Sequence, residues 1–246
     1  MIKDKVILIT GASSGIGFST ALTLSRAGAA IVAGARRLDR LESLKKAVEE
    51  QNGKISINRL DVTNKEGCTQ FTNSAINEYG RIDVLINNAG LMPLSFVKNL
   101  KIDEWDRMVD VNIKGVLYST ASVIPHMLAN KSGHIVNVSS IAGRIVFPAG
   151  SVYCATKHAV TAFSEGLRQE LSQRSNIRVT CIEPGVVDTE LNNTITDSSL
   201  QGFIETVKKM QSLQAQDIAN AILYAIDSPN HVNVNEIMIR PVQQER

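Results

Sequence analysis

The sequence predicts an α/β fold in which helices cover both faces of a doubly wound, seven-stranded parallel sheet. Seven short aliphatic and β-branched runs predict the strands, at residues 6–10, 30–34, 55–60, 82–86, 134–138, 177–182 and 236–239. Longer segments of helical period separate these runs, as Leu38, Leu41, Leu44 and Val48 illustrate. Because the runs are continuous rather than alternating, they indicate strands that are buried on both faces.

We predict a single domain over residues 1–246. The chain is 43% hydrophobic, which suffices for one large core, and contains no internal repeat or linker-like stretch. Gly28, Gly53 and Gly80 follow helical segments, where a left-handed residue commonly ends a helix. Pro125 falls within a segment that we expect to form a long helix.

Charge and cysteine content exclude several classes of protein. The 26 basic and 24 acidic side chains nearly cancel, so we expect neither nucleic acid nor a membrane as partner. The apolar run at residues 6–9 is too short for a signal peptide or a membrane span. Cys68, Cys154 and Cys181 match neither a disulfide framework nor a zinc site. The sequence therefore predicts a cytoplasmic protein without a metal, acting on a small molecule.

A glycine-rich turn follows the first predicted strand, where residues 10–17 read Thr-Gly-Ala-Ser-Ser-Gly-Ile-Gly. Glycines let a pyrophosphate approach the backbone, and the next helix offers free N–H groups and its positive dipole end. The spacing differs from the usual dinucleotide fingerprint, and a simple tight turn is the alternative. The candidate phosphate-binding residues are Gly11, Ser13, Ser14, Gly15, Ile16 and Gly17.

The second predicted strand ends in Arg36 and Arg37, where NAD-binding sites usually present an acid to the ribose 2′-hydroxyl. Guanidinium groups suit a 2′-phosphate, so NADP(H) is favoured over NAD(H). A solvated helix start with Asp39 nearby is the alternative. Asp61 and Val62 follow the third strand and could hold the adenine, although Asp61 could equally cap a helix.

Polar residues that could react with a carbonyl cluster after later strands. Tyr153 and Lys157 are four residues apart, which places both side chains on one helix face. A nearby cation favours a phenolate, and a tyrosine so activated can transfer protons. Ser140 follows the fifth predicted strand, with Ser139 as the fallback, and Asn112 lies in a helical region. Asn88, Ala89 and Gly90 follow the fourth strand.

These motifs resemble those of the short-chain dehydrogenase/reductase family, over about residues 5–241. The resemblance implies a Rossmann-type fold and a catalytic set of Tyr153 as general acid/base, Ser140 holding the substrate oxygen, Lys157 binding the nicotinamide ribose and lowering the tyrosine pKa, and Asn112 supporting a proton path. It also implies that the stretch from residue 184 to residue 189 contacts the carboxamide, with these cofactor-binding residues: Pro184, Gly185, Val187 and Thr189. Ser140 is preferred because the family places this serine thirteen residues before the tyrosine.

The substrate is less well defined by the sequence. Residues 91–93, residues 145–148 and Leu191 are expected to line an apolar pocket, and residues 190–212 to cover it. Arg144 could meet a carboxylate, but a solvated position is the better expectation, and Cys154 is expected to pack rather than sense redox state. The regions around residues 182–185 and 231–241 resemble NADP-dependent 3-hydroxy acid (serine) dehydrogenases and clavulanic-aldehyde reductases, which implies an aldehyde, ketone or 3-hydroxy acid.

Two alternatives stay open at the level of sequence. One is a 3-oxoacyl carrier-protein reductase, which would need a basic patch for an acidic carrier. The other is a non-catalytic NADP-sensing protein, against which the intact Ser140, Tyr153 and Lys157 argue. The family resemblance also implies a homo-oligomer, a tetramer or dimer, with the helices after Asp103 and Ser151 at one interface and the C-terminal segment at another.

Overall fold

The computed structural model describes residues 2–202, 205, 209 and 211–245. Its strands are β1 (Val6–Thr10), β2 (Ala30–Ala35), β3 (Lys54–Arg59), β4 (Val84–Asn87), β5 (Gly133–Val138), β6 (Ile177–Pro184), β7 (Val187–Asp188), β8 (Leu213–Gln214) and β9 (Glu236–Ile239). Its helices are α1 (Gly15–Arg26), α2 (Leu38–Glu49), α3 (Lys65–Tyr79), α4 (Ile102–Met108), α5 (Gly115–Asn130), α6 (Ser151–Ser175) and α7 (Ala215–Asp227). A π-helical stretch, Val109–Lys114, joins α4 to α5, and short 3-10 turns cover Val97–Asn99, Ile141–Gly143, Glu190–Thr194 and Ser198–Leu200.

The predicted seven-stranded parallel sheet is confirmed. Its strand order is β3-β2-β1-β4-β5-β6-β9, and every neighbouring pair is parallel. The chain proceeds outward in one direction from β1 to β3 and in the other direction from β4 to β9. The order therefore reverses between β1 and β4, and the loops that follow these two strands diverge to leave a crevice for a ligand.

Alternating residues along β1 explain how the sheet comes to be covered on both faces. Ile7 and Ile9 belong to a core cluster formed with α1, α2 and α7, whereas Val6 and Leu8 belong to a second cluster formed with α3, α5 and α6. Successive strand residues point to opposite faces, and each fully buried aliphatic side chain contributes about 1.5–3 kcal/mol. The two clusters hold the strand ends, and the loops after them, in fixed positions.

Element boundaries differ from the sequence prediction in small ways. The third strand covers Lys54–Arg59 and the fourth covers Val84–Asn87, each displaced by one or two residues, and the sixth continues to Pro184. The two-stranded β7–β8 sheet was not predicted, since each strand has only two residues. Pro125 does lie inside α5.

Two of the three helix-ending glycines adopt the predicted left-handed conformation. Gly80 caps α3 with φ of 73°, and Gly28 follows α1 with φ of 92°. The prediction for Gly53 is wrong, because Asn52 takes the left-handed conformation there with φ of 58°. Close packing requires a glycine at position 53 instead, because a Cβ atom there would collide with the Ser25 hydroxyl and with Val48.

One continuous sheet extends from β3 at one edge to β9 at the other, in keeping with the predicted single domain, although the domain limits at residues 1 and 246 stay a prediction. In the described part of the chain, every helix is too short or too polar to cross a membrane.

Candidate active site

A cavity of about 1340 Å³ opens at the carboxyl ends of the parallel strands. Residues that end six of these strands, or follow them within two positions, line it, namely Gly11, Arg36, Asp61, Asn88, Ser140 and Pro184. This is the edge at which an open α/β sheet binds its ligands. The cavity gathers the predicted nucleotide-binding and reactive residues into one site.

The glycine-rich turn is shaped so that only glycine fits at three of its positions. Gly11 and Gly15 have φ of 67° and 54°, a region that other residues rarely occupy. A Cβ atom on Gly11 would lie 2.7 Å from the Ala89 Cα, and one on Gly17 would lie 2.5 Å from the Asn88 Nδ2. The turn is therefore a close-packed cradle, with the N-terminus of α1 at its end. Such a cradle fits the phosphates of a dinucleotide.

The turn after β4 is fastened to this cradle through Thr10 and Asn88. The Asn88 amide nitrogen donates to the carbonyl oxygens of Thr10, at 3.0 Å, and Gly11, at 3.1 Å. The backbone N–H groups of Asn88 and Ala89 both donate to the Thr10 hydroxyl at 3.1 Å. These bonds fix the segment that continues to Gly90 beside the predicted phosphate site. Gly90 also lines the cavity.

The two arginines after β2 are placed differently. Arg37 donates to the hydroxyls of Ser13 and Ser14, at 3.1 and 2.7 Å, and pairs with Glu190 at 2.8 Å. Arg36 is exposed at the cavity and makes no side-chain hydrogen bond or ion pair within the described residues. Arg36 is consequently the guanidinium that is available for a ligand, and Arg37 already bridges the glycine-rich turn.

Asp61 and Val62 line the cavity as predicted. The Asp61 carboxylate accepts hydrogen bonds from the backbone N–H and hydroxyl of Thr63, at 3.0 and 2.8 Å. It stabilises the turn rather than the helix itself, because the cap of α3 is Asn64. Val62 packs closely on Gly115, the first residue of α5.

Ser140, Tyr153 and Lys157 come together on the opposite side of the cavity. Ser140 lies after β5, has an extended backbone and precedes the 3-10 turn Ile141–Gly143. Its hydroxyl accepts a hydrogen bond from the Ala142 N–H at 3.1 Å and donates to the Pro184 carbonyl at 3.3 Å. The Lys157 ammonium donates to the Val138 carbonyl at 2.9 Å and lies 5.8 Å from the centroid of the Tyr153 ring. All three side chains are at most 9% exposed. The helix α6 thus presents the phenol and the ammonium on one face, as the four-residue spacing predicts.

Burial dominates the ionisation of this pair. It raises the pKa of Tyr153 to about 12, while the Ser140 hydroxyl acts in the opposite direction. Burial also lowers the pKa of Lys157 to about 8. The predicted lowering of the tyrosine pKa by Lys157 is therefore not seen in this side-chain arrangement, in which burial outweighs the hydrogen bond with Ser140 and Lys157 makes no resolved contribution. Tyr153 is a protonated phenol at neutral pH and can donate.

Asn112 lies in the π-helical stretch between α4 and α5. Its amide exchanges two hydrogen bonds with the backbone of Leu91, both 2.9 Å long, and donates to the Thr156 hydroxyl at 3.1 Å. Thr156 belongs to α6, between Tyr153 and Lys157. A local widening of a helix often marks a functional site. Here it lets Asn112 join the loop after β4 to the helix that carries the reactive pair.

The hydroxyl of Ser139, the alternative candidate to Ser140, forms hydrogen bonds with other residues. It donates to the Lys157 carbonyl at 3.0 Å and bonds the Thr161 hydroxyl at 2.9 Å. The structure therefore favours Ser140, whose hydroxyl adjoins Tyr153.

The segment after β6 forms the wall between the two ends of the cavity. Pro184, Gly185, Val187 and Thr189 all line it. Val187 pairs with Leu213 in the small second sheet. The Thr189 hydroxyl caps the following 3-10 turn by accepting from the Leu191 N–H at 3.4 Å. A Cβ atom on Gly15 would lie 3.1 Å from the Thr189 methyl group, so this wall lies close to the glycine-rich turn.

The predicted apolar pocket is present with two corrections. Leu91, Met92, residues 145–148 and Leu191 line the cavity, together with Leu94 and Leu200, which were not predicted. Pro93 is buried outside the lining. Arg144 is neither a lining residue nor free in solvent, because it pairs with the buried Glu183 at 2.8 Å and with Glu236.

Residues 190–200, here called the strap, belong to the predicted cover. Residues 190–194 and Leu200 line the cavity, and their role as a cover stays a prediction. Asp197, only 7% exposed, accepts from the Ser95 hydroxyl at 2.7 Å and the Asn99 amide at 2.6 Å. The Thr194 hydroxyl accepts from the Met92 N–H at 3.0 Å. Much of the rest of the predicted cover, at residues 203–204, 206–208 and 210, lies outside the described residues.

Residues 243–245 also line the cavity and were not predicted from the sequence. Two glutamines after the last strand carry no recognisable motif, so no pattern in the sequence indicates where they fold.

Comparison with known proteins agrees with this geometry. Residues 5–199 match the family model described as short chain dehydrogenase. The chain belongs to the short-chain dehydrogenase/reductase family. It is 51% identical over 244 residues to an uncharacterized oxidoreductase of Staphylococcus saprophyticus, covering 99% of this chain and 98% of that protein.

Solved structures of this short-chain dehydrogenase's relatives extend the comparison. A serine dehydrogenase complexed with NADP+ is 33% identical, with a TM-score of 0.90 over 98% of this chain and 96% of that one. An NAD+-bound xylitol dehydrogenase is 26% identical, with a TM-score of 0.88 over 98% and 99% of the two chains. The predicted family and enzyme class are confirmed, and the protein is an oxidoreductase acting on CH–OH groups. A purely NADP-sensing role is not favoured.

Proposed function

We propose that this short-chain dehydrogenase/reductase interconverts a small carbonyl compound and its alcohol with NADP(H), using Tyr153 as general acid/base. The observation that carries the proposal is the position of the Ser140 hydroxyl, the Tyr153 phenol and the Lys157 ammonium in the same cavity as the glycine cradle. A phosphate-binding turn and a proton donor at two ends of one cavity suit a dinucleotide-dependent reduction.

The protein's own residues would hold the substrate oxygen and supply its proton. The Ser140 hydroxyl can donate to a carbonyl oxygen, and Tyr153, protonated at neutral pH, can transfer its proton to that oxygen as it becomes an alkoxide. Lys157 would keep a positive charge nearby, and Asn112 would support the helix that carries both. When bound, the nicotinamide supplies or accepts the hydride.

NADP(H) is supported over NAD(H) by the two arginines after β2. Arg36 offers an unengaged guanidinium at the cavity, and the carboxyl end of β2 carries no acid. A guanidinium binds a phosphate through paired, charge-assisted hydrogen bonds. The cofactor would lie along residues of six segments: Gly11, Ser13, Ser14, Gly15, Ile16, Gly17, Arg36, Arg37, Asp61, Val62, Asn88, Ala89, Gly90, Tyr153, Lys157, Pro184, Gly185, Val187 and Thr189.

The lining of the reactive end supports a small or medium substrate. Leu91, Met92, Leu94 and Phe147 pack in one apolar cluster with Tyr153. The serine dehydrogenase likeness supports a hydroxy acid or aldehyde within this class. A carrier-protein substrate is not favoured by the region around α4, where three basic residues are offset by four acidic ones: Lys98, Lys101, Arg107, Asp103, Glu104, Asp106 and Asp110.

We also propose a homo-oligomer in the cytoplasm. The three cysteines are free and buried, which suits a reducing compartment. Exposed apolar side chains occur on α5 and in the C-terminal region, including Leu117, Tyr224, Met238 and Val242. Such side chains are typical of subunit interfaces.

The proposed function is tested by following NADPH and NADH absorbance with a panel of aldehydes, ketones and 3-hydroxy acids. We expect turnover with at least one small carbonyl compound, and faster turnover with NADPH. A carbonyl compound linked to an acyl carrier protein belongs in the panel, because activity with it alone would support the reductase alternative. Absence of turnover with every compound and both cofactors would contradict the proposal.

A further inference from the structure

The segment that follows β9 folds back against the wall at residues 184–187. The Gln244 side-chain oxygen accepts a hydrogen bond from the Val186 N–H at 2.9 Å. The Gln244 backbone N–H donates to the Pro241 carbonyl at 3.0 Å, and this turn aims the side chain at the wall. Gln244 is also one of the residues that line the cavity.

Gly185 lets the two segments approach each other closely. A Cβ atom at this position would collide with the Gln244 side-chain oxygen and would lie 3.1 Å from the Pro241 Cδ. The Gly185 N–H donates to the Ile239 carbonyl at 2.7 Å. The backbone N–H groups of residues 185 and 186 therefore donate hydrogen bonds to β9 and to the segment after it.

Two further parts of the molecule donate hydrogen bonds to the same wall. The Ser140 hydroxyl donates to the Pro184 carbonyl at 3.3 Å, and the Leu213 N–H donates to the Val186 carbonyl at 3.0 Å. Gln244 supplies the side-chain bond at the middle of this wall, directly between the contact to Ser140 and the paired residue Val187. Its loss would free the Val186 N–H and loosen the wall without touching the glycine cradle.

We propose that Gln244 is a positioning residue, which fixes the wall at residues 184–187 in the geometry that receives the nicotinamide end of the cofactor. This rests on the proposed function, in which that wall contacts the carboxamide. In the proposed function the adenosine end lies against Arg36 and Asp61, after β2 and β3, whereas the Gln244 side chain bonds Val186 after β6. The two ends of one ligand should therefore respond differently to a change at Gln244.

The test compares NADP+ with adenosine 2′,5′-bisphosphate, which carries the 2′-phosphate and adenine but no nicotinamide. Binding of each is measured by calorimetry to the full chain and to Gln244→Met, which keeps the volume and removes the acceptor. We expect NADP+ to bind about 5-fold more weakly to the variant, or about 1 kcal/mol, as for one lost hydrogen bond. Binding of the bisphosphate should stay within about twofold.

Two matched variants complete the design. Gln244→Glu keeps an acceptor oxygen at the same reach and should recover NADP+ binding relative to Gln244→Met. Val242→Ala changes a fully exposed neighbour that does not line the cavity and should also have no effect. If Gln244→Met does not fold, Gln244→Asn withdraws the acceptor by one methylene and takes its place.

The possible outcomes separate the inference from the proposed function on which it rests. Unchanged NADP+ binding in Gln244→Met, or equal weakening of both ligands, would overturn the positioning role while the proposed function stands. Failure of the unmodified chain to bind either ligand would instead overturn the proposed function. Weakening of NADP+ alone, restored in Gln244→Glu, supports the inference.

Discussion

Burial of Tyr153 and Lys157 sets the chemistry of the site at the scale of single residues. Both ionisable side chains are held in the protein interior, at 5% and 8% exposure, and burial disfavours the charged form of each. Such a pair is costly to fold and is typical of active sites, where function competes with stability. The four-residue spacing predicts the shared helix face. It could not predict the direction of the tyrosine pKa shift, which depends on packing around the ring.

Replacing Lys157 by methionine should stabilise the protein at neutral pH. The unfolded chain keeps the lysine protonated to about pH 10.5, whereas the folded chain releases that proton above about pH 8. Below pH 8 the buried charge therefore lowers the free energy of unfolding, and the deficit shrinks as the pH rises towards 10.5. We expect Lys157→Met to raise the free energy of unfolding by about 1–3 kcal/mol at pH 7.

Urea unfolding of both proteins at several pH values checks this prediction. The gain should narrow between pH 8 and pH 10.5, because the reference protein becomes more stable over that range. Loss of the hydrogen bond to Val138 offsets part of the gain. A variant less stable than the reference at pH 7, with a difference independent of pH, would show that burial of the charge is not costly.

Arg36 should carry the preference for the 2′-phosphate. Its guanidinium has no other bond in the described part of the chain, so Arg36→Ala removes a ligand contact without disturbing the fold. We expect affinity for NADPH to fall by about 1.5–3 kcal/mol, the range for a hydrogen bond to a charged group, with NADH affected little. Fluorescence titration with both nucleotides measures this. An unchanged ratio of the two affinities would remove Arg36 from phosphate recognition.

At the scale of elements, the strap is held in place by hydrogen bonds to residues far away in the sequence. No local sequence pattern reveals these bonds. Asp197 meets Ser95 and Asn99, about a hundred residues earlier in the sequence. The composition of residues 190–212 predicts a polar cover but not its hydrogen-bond partners, since bonds between residues so far apart in the sequence follow only from the fold. The Gln244 contact with Val186, 58 positions away, was missed for the same reason.

Loosening the strap should expose it to proteolysis. Hydrogen bonds from Ser199, Ser95 and Asn99 hold the pKa of Asp197 well below its usual range, so the carboxylate stabilises the strap above the ordinary aspartate pKa. That contribution is lost as the pH falls towards the lowered value. We expect Asp197→Asn, which cannot accept from all these donors, to be cleaved within the strap several-fold faster at pH 7.

Limited proteolysis with mass spectrometry locates the cleavage, and an acid-active protease extends the series to low pH. The matched control is Asp188→Asn, because Asp188 precedes the strap and its side chain makes no hydrogen bond among the described residues. Equal cleavage rates for Asp197→Asn and the unmodified chain would show that the carboxylate does not protect the strap from proteolysis.

At the scale of the whole molecule, the sequence is sufficient to predict the sheet and most of the site. Continuous buried strands and glycines at required positions leave strong local signals, and the carboxyl ends of parallel strands must meet at one edge. The prediction of Ser140, which comes after a strand, follows from that rule, whereas Tyr153 and Lys157 were predicted from their four-residue spacing and from the family resemblance. The position of Arg144 follows from neither, because its partners Glu183 and Glu236 come from neighbouring strands whose pairing only the folded sheet defines.

The central claim is that a protonated Tyr153 delivers the proton to the substrate oxygen. The most direct test is NADPH-dependent turnover by Tyr153→Phe on the best carbonyl compound of the panel, with NADPH affinity measured on the same samples. We predict that turnover falls by about 10²–10⁴-fold, the usual contribution of a general acid, while NADPH affinity stays within about twofold. Turnover by Tyr153→Phe equal to that of the unmodified enzyme would contradict the account.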